Sequence, residues 1–220
     1  MTDTPSDVAG LSLEAFTVRL ASSDPTPGGG SAAAVAGSLA ASLLAMVAGL
    51  SQGRPKYAAY EKTLARALAV AADARRRLLV LADDDARAYD AFSAALKLPR
   101  EAPDEIAARG AALHSAARHA TEIPLEIIRA CRLVAAELEA LAGRSNLNAS
   151  SDLTVGTLLV EAAARGAAAN ILVNLPSVGD PPFEGATMRE LTGHLELIED
   201  LASQVRERVG RGKLRDPEEA

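Results

Sequence analysis

Residues able to move protons or hold a ligand fall in a few short stretches of the chain. In "ADDDARAY", residues 82–89, a carboxylate takes a place where a helical stripe should be apolar. Leu78 and Ala82 are followed on the same face by Asp85, and the stripe resumes at Tyr89 and Phe92. Burying an unpaired carboxylate is costly, which favours a site role for Asp85 over a solvated acidic run at 83–85. Lys97 closes the same helix, where a cation complements the C-terminal dipole. Asp152 follows two serines at a helix start, where carboxylates are ordinary. Asn146 and Asn148 are loop residues unless something binds them. His114, His119 and His194 have neither triad nor metal spacing, and Cys131 is the single cysteine. Neither a metal centre nor an intrachain disulfide is expected.

The fourth stretch is "PTPGGGSAAAVAGSLAASLLAMVAGLSQG", residues 25–53, which carries no charge. Pro25 and Pro27 block helix before the glycines, and Ser31 can cap the helix that begins there. No lysine stands at Walker A spacing and no strand precedes, so this is not a P-loop. Pro27, Gly28, Gly29, Gly30 and Ser31 form either a tight turn or a ligand cradle of backbone N–H groups at a helix N-terminus. By length the run could cross a bilayer. It is built of alanine, glycine and serine, however, with no flanking basic cluster and no aromatic belt, so membrane insertion is not expected. A helix apolar all round is otherwise a buried one, and its small residues let neighbours pack closely.

The elements that must position these groups are helical. Apolar residues make up 49% of the 220, much of this alanine, while aromatics reach 3%. That composition favours helix over sheet. Apolar spacing predicts helices over 11–22, 31–50, 56–98, 104–142, 153–173 and 186–209, with Pro124 bending the fourth and Gly143 stopping it. The fold expected is all-α: an up-and-down bundle of about six helices around the Ala/Gly-rich one. Residues 11–209 form a single domain, 1–10 a loose tail and 210–220 a frayed one. The net charge of -6, from 23 basic and 29 acidic residues mixed along the chain, argues against a nucleic-acid partner. The polar start lacks the features of a signal peptide, so a cytoplasmic setting is expected.

Taken together, "PTPGGGSAAAVAGSLAASLLAMVAGLS", "DARAY" at 85–89, "KLPR" at 97–100 and "SNLNASSD" at 145–152 resemble, in order, the cyclodeaminase domain of formiminotransferase-cyclodeaminase. That family includes stand-alone methenyltetrahydrofolate cyclohydrolases, and the resemblance spans residues 11–209. One departure is visible: the family usually has a lysine where Arg100 stands, and arginine cannot replace a lysine that donates a proton. The resemblance implies a helical homodimer that binds a folate as substrate, with no cofactor and no metal. It implies either hydrolysis of 5,10-methenyltetrahydrofolate to 10-formyltetrahydrofolate or ring closure of 5-formiminotetrahydrofolate with loss of ammonia. The free-standing chain favours the cyclohydrolase; a non-catalytic folate-binding or scaffold protein is a further reading. On this resemblance Asp85, Lys97 and Asp152 are the catalytic candidates. Asp85 would hold the cationic amidinium or take a proton from water, and Lys97, if desolvated, would shuttle one. Pro27 to Ser31, Tyr89 and Asn148 would contact substrate, and Arg54 and Lys56 would attract its anionic tail.

Overall fold

Alanine-rich stretches with apolar residues every three or four positions fold here as six α-helices, and among the described residues, 8–217 of the computed structural model, there is no strand. They are α1 (Leu13–Leu20), α2 (Gly29–Gly49), α3 (Glu61–Leu96), α4 (Pro103–Leu141), α5 (Ser150–Asn174) and α6 (Pro181–Arg211). The uncharged α2 packs on α3, α4 and α5, while α6 closes the far side against α4 and α5. Small residues set the spacing: a Cβ on Gly37 would lie 3.2 Å from both Cys131 Sγ and Leu78 Cδ1. Most of α2 is enclosed in this way, yet Leu39 and Met46 remain 50% and 42% exposed along one stripe. By length and composition alone, Gly29–Gly49 and Leu147–Ser177 could each cross a bilayer, and half of the α2 segment is inside the protein.

Several boundaries differ from the sequence expectation, each for a local reason. The sixth helix begins at Pro181, not Ala186, because Asp180 accepts a hydrogen bond from Phe183 N at 3.2 Å and caps a turn led by two prolines. The helix containing Pro124 runs unbroken from Pro103 to Leu141, and Gly143, at φ 75°, ends it as expected. Residues 1–7 and 218–220 lie outside the described residues. Of the expected N-terminal tail, Val8–Gly10 is instead a 3-10 turn held down by Asp83, which accepts from Val8 N at 2.5 Å and Ala9 N at 3.2 Å. Of the expected C-terminal tail, Arg215 is docked: its N–H donates to Gly143 O at 2.7 Å, its guanidinium pairs with Glu139, and Tyr60 donates to its carbonyl.

The apolar stripe of α3 also changes character along its length. It is fully buried at Leu64, Ala71, Leu78 and Ala82, but Tyr89 and Leu96 are 45% and 49% exposed. In the last turns of α3 only the small residues Ala86, Ala88 and Ala95 stay buried. The apolar side of these turns borders a cleft, and that is where the candidate site lies.

Candidate functional site

Three consecutive carboxylates, Asp83, Asp84 and Asp85, have three separate jobs. Successive helical positions turn by about 100°, so Asp83 and Asp85 leave α3 in nearly opposite directions. Asp83 is buried against the Val8–Gly10 turn. Asp84 pairs with Arg87 at 2.6 Å on the surface. Asp85 points at the N-terminus of α2, where Ser31 Oγ stands 3.1 Å from its Oδ2 and 2.8 Å from Ala82 O. Burial drives the Asp85 carboxyl above the ordinary aspartate range, while the Ser31 hydroxyl and backbone N–H partly offset this by favouring the ionised form.

Gly30 is required by this arrangement. A Cβ there would fall 2.0 Å from Asp85 Oδ1, inside the carboxylate, so only glycine lets the acid approach the first turn of α2. The sequence left turn and ligand cradle open for the glycine run; the structure shows that the chain's own carboxylate occupies the positive end of the helix. A second anion would meet that charge.

Beside this pair opens a cleft of about 310 Å³, within the range of small-molecule sites. Gly28, Gly29 and Gly30 form one wall, Asp85 and Tyr89 with Phe92 the second, and Asn170 and Asn174 of α5 the third. Asp85 is the one formally charged group among the described residues lining it. Pro27 is buried behind the glycines, its peptide bond to Thr26 cis, and does not border the cleft. Two larger hollows of about 410 and 450 Å³ lie on outer faces along Arg77, Glu126 and Arg129, away from the glycine turn.

Other sequence-predicted residues are not brought to this cleft. Lys97 is the exposed cap at the end of α3, about 18 Å beyond Asp85 along the helix. Arg54 and Lys56 follow the C-terminal end of α2, whose 21 residues separate them from Gly29 by about 31 Å. Both are exposed, with Lys56 Nζ 5.6 Å from the Tyr57 ring centroid. Asp152 sits in the first turn of α5, about 27 Å from Asn170 along that helix. Asn148 is exposed in the preceding turn, its N–H donating to Asn146 Oδ1 at 3.1 Å. Within one chain, none of Arg54, Lys56, Lys97, Asn148 and Asp152 lines the cleft that holds Asp85. Conversely, the sequence reading missed Asn170 and Asn174. Their signal was slight: two amides four residues apart in a helix otherwise rich in alanine. Among the described residues, no cluster of three His, Cys, Asp or Glu could hold a metal ion.

The sequence model of formiminotransferase-cyclodeaminase matches residues 12–193. The chain belongs to this family. It is 39% identical over 197 residues to a methenyltetrahydrofolate cyclohydrolase of Methylorubrum extorquens, covering 90% of this chain and 95% of that protein. It is 33% identical to the formimidoyltransferase-cyclodeaminase of Gallus gallus over 84% of this chain, which spans 34% of that longer protein. The crystal structure of a formiminotetrahydrofolate cyclodeaminase from Thermotoga maritima superposes with a TM-score of 0.84 at 30% identity, covering 93% of this chain and 98% of that one. The helical bundle with its enclosed Ala/Gly-rich helix is thus the fold of a formiminotransferase-cyclodeaminase family member.

Proposed function

We propose that this chain is a methenyltetrahydrofolate cyclohydrolase, adding water to 5,10-methenyltetrahydrofolate and opening it to 10-formyltetrahydrofolate. The observation that carries this reading is Asp85: a half-buried carboxylate with a raised pKa, held by Ser31 in a cleft whose described lining residues include no basic side chain. The methenyl bridge is a cationic amidinium, and an anionic cleft of low polarity favours it electrostatically. As water attacks the bridging carbon, Asp85 accepts its proton. The hydroxyl on the tetrahedral carbon then gives up its proton as the carbonyl forms and the N5–carbon bond breaks. N5 takes a proton, the formyl group is left on N10, and one proton is released overall. A carboxyl raised towards neutrality is suited to both transfers. The chemistry calls for no metal and no cofactor, and fits a cytoplasmic setting.

Relatives support this choice over deamination through identity, 39% to the cyclohydrolase against 33% and 30% to the two cyclodeaminases. The chain spans 95% of the cyclohydrolase, 98% of the Thermotoga maritima cyclodeaminase chain and 34% of the Gallus gallus protein. The fit to a cyclodeaminase structure keeps that reaction as the second reading, since it passes through the same tetrahedral carbon. Loss of the methenyl absorbance band with purified protein, side by side with ammonia release from 5-formiminotetrahydrofolate, separates them. No acceleration of either reaction would remove the enzyme reading and leave a folate-binding or scaffold protein.

The reading includes a second copy of this chain. Leu39 and Met46 on the charge-free α2 stand open, as do Val155, Leu158 and Leu172 on the adjacent α5. Such a face suits burial against its own two-fold copy. Sedimentation of the wild type against Leu39→Glu tests this; a monomeric wild type would contradict it.

A further inference from the structure

The α5 wall of the cleft carries chemistry that the proton-transfer step does not use. Asn170 donates from Nδ2 to Gly166 O at 2.9 Å, within its own helix. Asn174 donates from Nδ2 to Ala120 O at 2.7 Å, across to α4. Each bond fixes which end of the amide is which, because a carbonyl can accept only from the NH2 side. The two Oδ1 atoms accept nothing from any described residue, although both side chains line the cleft. Neither oxygen is sealed from solvent, so each is open to an N–H of a ligand that enters the cleft. Opposite them, the first-turn N–H groups of α2 at Gly29 and Gly30 make no backbone hydrogen bond, as expected at a helix start. The cleft thus offers acceptors on one wall and donors on another.

We infer that Asn170 and Asn174 are specificity-determining residues whose amide oxygens receive the N–H donor edge of the substrate's bicyclic ring, leaving Asp85 free to face the one-carbon unit. This rests on the folate reading above. The ring's pyrimidinone edge carries an exocyclic amine and a ring N–H as donors beside a carbonyl acceptor. Its donors suit the amide oxygens of the α5 wall, and its carbonyl suits the N–H groups of the α2 wall. A site built to pair with a donor rejects an analogue lacking it, because the protein's buried acceptor is then left unpaired. The amides therefore discriminate among ring systems, while the catalytic carboxylate is indifferent to that edge.

The test is calorimetric titration of the full chain with tetrahydrofolate and with its 2-desamino analogue. Wild-type protein should bind the analogue about tenfold more weakly, the loss expected from one unpaired acceptor. Asn170→Leu, whose amide bonds only within α5, should bind both with equal affinity, raise KM for the methenyl substrate about tenfold and hold kcat within about threefold. Asn174→Leu should likewise raise KM about tenfold, with its melting temperature recorded because the bond to Ala120 is also removed. Retained discrimination in both variants, or a fall in kcat with unchanged KM, overturns the assignment while leaving the cyclohydrolase reading intact. If the wild type binds neither ligand, the folate reading and this inference fall together. Turnover without discrimination in the wild type removes only the inference.

Discussion

The two ends of α2 carry the same sort of sequence signal and have different surroundings. At its N-terminal end, glycines and Ser31 meet a carboxylate of α3 and two amides of α5 around an open cleft. At its C-terminal end, Arg54, Lys56, Asn148 and Asp152 are equally polar and lie in or next to turns stitched together by backbone and side-chain bonds such as Asn146 N to Ser51 Oγ at 2.8 Å. At the first end burial raises the pKa of the Asp85 carboxyl, with no basic residue among those described around its cleft. At the other, burial lowers that of Arg144, while the candidates Arg54, Lys56 and Asn148 stay exposed. Polar residues in a family motif thus mark positions, and burial decides which of them acquire unusual chemistry.

Substitution at Asp85 should separate the two ends most sharply. Asp85→Asn keeps the shape and removes the base, and should lower kcat by at least about 100-fold, the lower range for a lost acid–base group. Its fold should not suffer. A carboxyl raised in the native state costs stability above that raised pKa, a cost absent below the ordinary aspartate value. The asparagine variant should therefore melt at or above the wild-type temperature at neutral pH. A large drop in melting temperature would assign Asp85 to structure instead.

Next in size is a contrast between neighbouring glycines. Gly30→Ala drives a methyl into the Asp85 carboxylate and should reduce activity at least about tenfold, whereas Gly29→Ala meets nothing closer than Asn170 Nδ2 at 3.7 Å. Circular dichroism should show both variants helical, since alanine is the better helix former. Equal losses in the two would mean that glycine serves the turn and not the acid.

The bundle was readable because alanine-rich helices with a 3.6-residue stripe leave few alternatives, and Asp85 was readable because it interrupts such a stripe. The division into two ends was also within reach: residues flanking a 21-residue helix cannot share a site in one chain, yet motif order along the sequence hides that distance. Asn170 and Asn174 were not readable. Nothing in an alanine-rich helix tells which of its faces borders a cleft until α3, α4 and α5 are packed. The docking of Val8 and Arg215 depends in the same way on partners distant in sequence, Asp83 and Glu139.

A smaller effect should appear in the pH profile. Activity needs ionised Asp85, so it should fall on the acid side with a midpoint above that of an ordinary aspartate. The Ser31 hydroxyl favours the ionised form, and Ser31→Ala should move that midpoint to higher pH while the alkaline limb stays in place. A shift to lower pH would show that the hydroxyl holds the protonated acid instead.

The smallest effects belong to the far end. Asp152→Asn and Arg54→Ala should each change kcat/KM by no more than about threefold, because about 30 Å of helix separates them from the acid in the same chain. The comparison breaks if either loses activity on the scale of Asp85→Asn. An antiparallel second copy seated on the α2 and α5 face would then have carried its far end to this cleft, and mixing Asp85→Asn with Asp152→Asn subunits should restore activity in the mixed dimers. Such rescue requires two incomplete sites to form one complete site. Its absence, with both single variants inactive, would mean that Asp152 acts through the stability of α5, which the melting temperature of that variant reads directly.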